Sequence, residues 1–588
     1  MTGTVALAAG AASPARWRRA VAAAAGLPAV LAALLALLVL APLAVIAWST
    51  VQPAGLVAWA DVLRGEVSGS LLYRPLAHTL AIGVATVAGT LLIGGFLAWL
   101  VVLTDVPLRR TLGVLAALPF VVPSFAAAFA WGVVFRNQRV GGSVGWLEAA
   151  GLSVPDALAW GLVPTTVVLV LHYSSLVFML VAAALASVNA EMIEAASMTG
   201  AGRTRVLGGI VLPAVLPAVV SAGSLVFAGA VSNFAAPALL GLPVGLHTLS
   251  TRLFGMVSTG QVERGHVLAL LLIALCAVVL AWATRAVSGR RSFATVTGKG
   301  GRARRFALGG WRWPLGALAL GVCAVATVAP LGVLAASSLA REVGSLGAGF
   351  TLHYWTGAAD PAVAQGIGGV LRDPQLLHAL GITLALGGSV AFVSMAIGLL
   401  VAWVVVRRRG HPLAAPLGTL AFLPAMVPGI AFGAGFIALF GRPWGPLPAL
   451  YGTFTLLVLA GVAYTLPFAV QSARGALAQI AGDIEDAATL AGAGLVRRLF
   501  GIWLPLTLRA LLAGAVLVFV KMVRDLSLVV LLFTPAMPLL SVVAYRYASE
   551  GFLQHANAIT ALVTVVCVAA TLLAQQLQGQ RQPWVKAD

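Results

Sequence analysis

The feature that most constrains this 588-residue chain is a series of apolar runs, each about 20 residues or longer, recurring from end to end. No water reaches the core of a bilayer. A segment there must satisfy its own backbone as a helix or close into a barrel. Barrel strands are short and alternate apolar with polar residues. These runs are long and continuous, which predicts helices. Twelve are expected, over 25–48, 76–103, 112–134, 161–187, 210–231, 265–287, 314–336, 379–406, 414–440, 450–472, 507–533 and 557–577. The fold class is therefore an all-α membrane protein. Composition agrees, because 61% of residues are hydrophobic and only 9% are charged, too few to cover a soluble surface of this size.

The net charge of +19 is not spread evenly. Arg16, Arg18 and Arg19 precede the first run, Arg109 and Arg110 separate runs 2 and 3, and Arg203 and Arg205 separate runs 4 and 5. Arg285, Arg290, Arg291, Lys299, Arg302, Arg304 and Arg305 separate runs 6 and 7, Arg407 to Arg409 separate 8 and 9, and Arg497 and Arg498 separate 10 and 11. With alternating spans all of these lie on one side, and the positive-inside rule makes that side, and both termini, cytoplasmic. The opposite connections carry mixed charge, such as Asp61, Arg64 and Glu66, or Asp360, Arg372 and Asp373. The basic excess is thus a topology signal, and no nucleic-acid partner is expected. The first run stays apolar from Leu27 to about Trp48, too long for a signal-peptide core, and is read as a retained helix.

No constellation for catalysis is present. Cys276, Cys323 and Cys567 each lie inside an apolar run, as packing residues would, and the eight histidines are scattered. No nucleophile elbow, P-loop or dinucleotide fingerprint occurs. The expectation is a chain with no enzyme activity, no metal site and no bound cofactor.

The chain says nearly the same thing twice. EMIEAASMTGAGRTRVLGGIVLP at 191–213 is matched by DIEDAATLAGAGLVRRLFGIWLP at 483–505, with a constant offset of 292. Earlier segments match at a larger offset. Ala98-Trp99 pairs with Ala402-Trp403 at 304, and Pro119 and Pro123 pair with Pro424 and Pro428 at 305. The drop from 305 to 292 places a shorter connection between spans 3 and 4 of the second half. Two six-helix halves of the same orientation follow, as parallel repeats. The organisation expected is an N-terminal segment 1–24, a first repeat 25–287, a basic Gly-rich linker 288–313 with Gly298, Gly300 and Gly301, a second repeat 314–577 and a tail 578–588.

In each polar copy an acid, Glu194 or Asp486, is expected to begin a short helix, complementing its N-terminal dipole. Two alanines (Ala195 and Ala196, or Ala487 and Ala488) give a flat face, and Gly200 or Gly492 permits a turn. The closing proline suits the first turn of the next span. The spacing EAA-x3-G-x9-I-x-LP resembles the signature loop of the permease subunits of bacterial binding-protein-dependent ABC importers with the type I fold. That resemblance implies that each loop holds a helix docking on a cytoplasmic ATPase. It implies as partners a homodimer of ATPase subunits, where ATP and Mg would bind, a periplasmic or lipid-anchored binding protein, and lipid. The fused twelve-helix form is similar to ferric-iron, thiamine and some polyamine- or phosphonate-type members.

Two sets of residues are candidates for a pathway. Pro119, Pro123, Pro424 and Pro428 would loosen spans 3 and 9 at matched depths, either to line a cavity or as packing kinks. The 292 offset also pairs Asn233 with Asp525, and Lys521, Arg524 and Asp525 form the densest charge cluster within any apolar run. These groups either face a water-filled path or snorkel to the outer interface. SNFAAPALLG resembles a segment of iron- and thiamine-type permeases, and RDLSLVVLL one of ferric-iron-type permeases, which implies ferric iron as cargo, with thiamine, polyamine or phosphonate as alternatives. A twelve-helix secondary transporter would also use parallel halves, but has no use for the duplicated loop, and a membrane enzyme would need catalytic groups that are absent.

Overall fold

The structure is a computed structural model that describes residues 26–188, 190–288, 306–361, 363–443 and 448–578. The N-terminal arginines, most of the linker and the end of the tail lie outside the described residues. Among those described, ten helices are long and apolar enough to cross a membrane, and the number rises to twelve if each of two bent helix pairs is counted as one span, as in the numbering used below. Spans 1, 2, 4, 5 and 6 are Gly26–Val51, Gly69–Leu103, Asp156–Ala186, Thr204–Ser232 and Val262–Ala286. Spans 7, 8, 10, 11 and 12 are Gly309–Leu339, Pro374–Arg407, Phe454–Leu477, Leu495–Val523 and Leu553–Gln576.

Spans 3 and 9, expected to be loosened at their prolines, are each a sharply bent pair of helices. Span 3 is Arg109–Phe120 followed by Ser124–Phe135 at 95°, and span 9 is Ala414–Met426 followed by Gly429–Phe440 at 110°. Pro119 and Pro424 each sit in a final 3-10 turn, while Pro123 and Pro428 are extended residues that open the second helix. Two prolines four residues apart remove two ladder N–H groups, and the residue before each resists the α conformation. Span 11 also departs from the expected 507–533. Its helix stops at Val523, and a short helix, Val529–Leu532, follows a turn in which the Asp525 Oδ1 accepts from the Leu528 N–H at 2.7 Å.

The loop prolines do not start their spans either. Span 5 begins at Thr204 and span 11 at Leu495, so Pro213 and Pro505 fall well inside. Each follows a five-residue π turn, Leu207–Val211 or Leu499–Trp503. The same device precedes Pro42, Pro75 and Pro330. A wide turn moves the carbonyl that the proline ring would strike and absorbs the missing N–H, so the helix continues.

Within each half, spans 2 and 4, or 8 and 10, pack closely enough to need glycine. A Cβ on Gly94 would run into the Ser174 carbonyl oxygen, and one on the matched Gly398 would lie 2.9 Å from the Ala469 carbonyl carbon. Between halves, the first span of each crosses to the other. Ala41–Val51 packs on Gly429–Phe440, and Ala329–Leu339 packs on Ser124–Phe135. From Phe135 to the long helix of span 4, which begins at Leu162, there are 26 residues (136–161), against 13 (441–453) between Phe440 and Phe454 in the second half, the whole of the drop in offset. The longer one is tied down by Asn137, which donates to the Val154 carbonyl at 3.0 Å and to Asp156 at 2.7 Å and accepts from Trp160 Nε1 at 2.9 Å. After span 7 the second half has instead an antiparallel pair, Ala340–Glu342 with Ser345–Phe350.

Gly94→Leu and Gly398→Leu should each cost about 1–3 kcal/mol or more, because backbone cannot yield as a side chain would. Gly95→Leu points into open space and should be neutral. Thermal unfolding in detergent checks this, and equal stability of all three would contradict the packing described.

Candidate functional site

The four interruptions in the spans converge. The ends of spans 5 and 11 and the bends of spans 3 and 9 line one cavity of about 240 Å³ between the halves. Asn233, Lys521, Arg524, Asp525 and Pro424 line it directly. Pro119, Pro123 and Pro428 lie one residue from the lining residues Phe120, Ser124 and Gly429. Sequence reasoning missed the groups that spans 4 and 10 contribute, His172, Tyr173, Tyr464 and Phe468. The repeat offset carried a signal for them, since it pairs His172 with Tyr464 and Leu176 with Phe468.

The local chemistry of the two breaks is duplicated. Asn233 Oδ1 accepts from the Ala236 N–H at 3.0 Å, as Asp525 Oδ1 does from Leu528. The Ser250 hydroxyl donates to the Asn233 carbonyl at 3.0 Å, and Ser541 to the Asp525 carbonyl at 2.9 Å. Thr79 and Thr383 accept from the Leu249 and Leu540 N–H groups. Asn233 also donates to Ser124 Oγ at 3.1 Å. Asn and Asp are interchangeable in such a cap, because either offers a carbonyl-type oxygen. That accounts for the missing acid in the first half. Arg524 reaches the first half directly, donating to the Phe120 carbonyl and lying 4.5 Å from the centre of its ring. The Phe234 N–H donates to Ser527 Oγ across the same seam at 3.3 Å.

The two polar loops form short helices at one end of the spans, Ala190–Met198 and Gly482–Leu490. Each begins about four residues before the expected acid. Glu191, or Asp483 and Glu485, occupy the first turn, while Glu194 and Asp486 are mid-helix and exposed. The dipole argument therefore belongs to the earlier acids. Gly200 and Gly492 follow the helices at φ +82° and +78°. Both ends close alike: the Ala201 N–H bonds to the Ala196 carbonyl, and the Ala493 N–H to the Ala488 carbonyl, the 6→1 bond of a glycine C-cap. Ala195 and Ala487 are exposed.

Two further features of the loops were not read from the sequence. Met198 and Leu490, at matched positions, are 88% and 91% exposed, and Met192 and Ile484 are exposed too. The second feature is in one loop only. Glu485 is buried, accepting from Trp403 Nε1 at 2.9 Å, with Arg407 Nε 3.2 Å and Arg498 3.4 Å from its carboxylate. Arg407 also donates to the Ile480 carbonyl at 2.6 Å, and Trp403 packs on Trp503 at 5.3 Å. The matched first-half positions hold Ile193, Leu103 and Val206, so that loop has an apolar counterpart. Glu485→Ala would leave two arginines of low exposure unpaired, which costs about 3–5 kcal/mol. A fall in unfolding temperature for Glu485→Ala, with little for the exposed Asp486→Ala, is expected, and equal effects would contradict the anchor.

Comparison with known proteins fits this geometry. Residues 90–292 and 394–584 each match the family described as binding-protein-dependent transport system inner membrane component. A putative ferric transport system permease protein of Haemophilus influenzae is 26% identical over 432 residues, 72% of this chain and 64% of that protein. A ferric transport system permease protein of Actinobacillus pleuropneumoniae is 24% identical over 478 residues, 79% of this chain and 65% of that protein. The chain thus spans slightly less than two thirds of both. A putative 2-aminoethylphosphonate transport system permease protein of Salmonella paratyphi A is 28% identical over 245 residues, 42% of this chain and 84% of that protein. With two matched domains covering most of its length, this multi-pass chain belongs to the family of binding-protein-dependent transport system inner membrane components.

Proposed function

We propose that this chain forms the whole transmembrane pathway of an ATP-driven importer, with the cavity between its halves as the passage. The observation that carries this is the pairing of two like loop helices with one cavity at the seam of two like halves. The loops lie on the cytoplasmic side, with both termini, and each docks on one subunit of a homodimeric ATPase through its exposed apolar pair. ATP binding closes the ATPase dimer, the loops move, and the halves rock about the seam. A binding protein delivers cargo from the opposite side. The chain itself binds no ATP or Mg.

Ferric iron is the cargo most strongly supported, because the ferric permease relatives align with about three quarters of the chain, across both halves. Tyr173, Tyr464 and Asp525 line the cavity and offer oxygen atoms to a hard cation. A second reading, an organophosphonate, is favoured by the two cations Lys521 and Arg524 in the same wall. Thiamine and polyamines, both cationic, fit that wall less well.

Met198→Asp together with Leu490→Asp should abolish co-purification of the ATPase and all transport, with the unfolding temperature unchanged, since both sites are exposed. Full retention of the ATPase would contradict the docking face. Uptake of radioactive ferric iron by cells lacking the chain should return when it is restored and vanish on ATP depletion. Restored uptake of aminoethylphosphonate in place of iron would move the cargo and keep the mechanism.

A further inference from the structure

The charge in the central cavity comes from one half. At the 292 offset, Lys521, Arg524 and Asp525 face Gly229, Ser232 and Asn233. The wall therefore carries two cations and one carboxylate. Two of these three groups are already engaged. Asp525 caps the turn at Leu528, and Arg524 is fixed on the Phe120 carbonyl and ring. Lys521 is different. Its ammonium nitrogen lies 4.3 Å from the Tyr464 ring centre and 5.0 Å from that of Phe468. Among the described residues no ion pair holds it.

Ring faces attract the charge of an ammonium group but supply no strong acceptor for its N–H groups. Lys521 is thus a half-buried cation with donors to spare, on the wall of a cavity inside a membrane. Such a residue is costly to keep unless it meets something negative. A bare ferric ion would instead meet a wall of net positive charge, and repulsion grows as the local dielectric falls. We propose that the cargo crosses this cavity as an anion, either a small oxoanion or a ferric ion wrapped by an anionic chelator, and that Lys521 meets its negative oxygens. This rests on the cavity being the passage.

The test uses cells that express the complete importer and lack the native copy of this chain. The probes are labelled inorganic phosphate, sulfate, 2-aminoethylphosphonate and ferric citrate, with thiamine and putrescine as cations. Chain-dependent uptake of phosphate, sulfate or the phosphonate would identify an oxoanion, and of iron from the citrate complex a chelate. Lys521→Met should lower that uptake about tenfold or more, Lys521→Glu further, and Lys521→Arg should restore most of it. ATPase co-purification should be unchanged in all three, which separates a pathway defect from misfolding. Chain-dependent uptake of thiamine or putrescine alone, of none of the anions, or full anion uptake by Lys521→Glu would overturn the proposal. If the ATPase still co-purifies in those cases, the importer reading stands and only the anion inference falls. If it never co-purifies, the importer reading itself falls.

Discussion

Everything in this molecule depends on one constraint. A backbone in lipid must satisfy its own hydrogen bonds, so an interruption is tolerable only where protein or water covers it. Among the described residues there are four major interruptions in the spans, at Pro119–Pro123, Asn233, Pro424–Pro428 and Arg524–Asp525. All four line the cavity at the seam between the halves, and those of spans 3, 5 and 11 are hydrogen-bonded to one another. The Phe120 carbonyl, released by the bend of span 3, takes a hydrogen bond from Arg524 at the end of span 11. The Phe234 N–H, beyond the end of span 5, finds Ser527. Breaks that would be prohibitive singly thus become the walls of a shared cavity. The gentler π turns before Pro42, Pro75, Pro213, Pro330 and Pro505 need no such shelter, because the helix runs on through them.

Duplication gives the frame and departures from it give direction. Caps, threonine and serine contacts and glycine packing recur in both halves, so the scaffold is close to two-fold. The differences fall at the cavity and at one loop. Lys521 and Arg524 against Gly229 and Ser232 make the cavity one-sided in charge. Glu485, clamped between Arg407 and Arg498, ties the second loop helix to spans 8 and 11 through buried charge. Its counterpart positions are apolar. A buried ion pair is poor as a source of stability but demanding in geometry, so the second loop is held in one orientation relative to its spans.

Much of this was legible in the sequence because lipid makes hydropathy nearly decisive and because the repeat offers each signal twice. The span order, the two halves, the loop glycines and the unequal connection between spans 3 and 4 all follow from pattern. What was not legible depends on three-dimensional neighbours. Proline pairs four apart announced a weakness in spans 3 and 9, but the bends of 95° and 110° are set by what packs on either arm. The hydropathy of 507–533 hid the stop at Val523, since Leu526 and Leu528 to Leu532 are apolar whether they extend a helix or turn back under a cap. Glu485 resembled any other loop acid until Trp403 and Arg407, some 80 residues upstream, closed over it. Tyr464 and His172 resembled ordinary residues of an apolar run.

The central claim is that two loops drive two halves about one seam. The most direct test is a distance between the loops. Cys276, Cys323 and Cys567 are buried, so spin labels placed through Met198→Cys and Leu490→Cys would report on the loops selectively. In the assembled transporter with a hydrolysis-deficient ATPase, adding ATP should bring the two labels measurably closer by pulsed electron resonance, and removing it should restore the longer distance. An inter-label distance that stays the same with and without ATP, in a complex that still binds the nucleotide, would contradict the account.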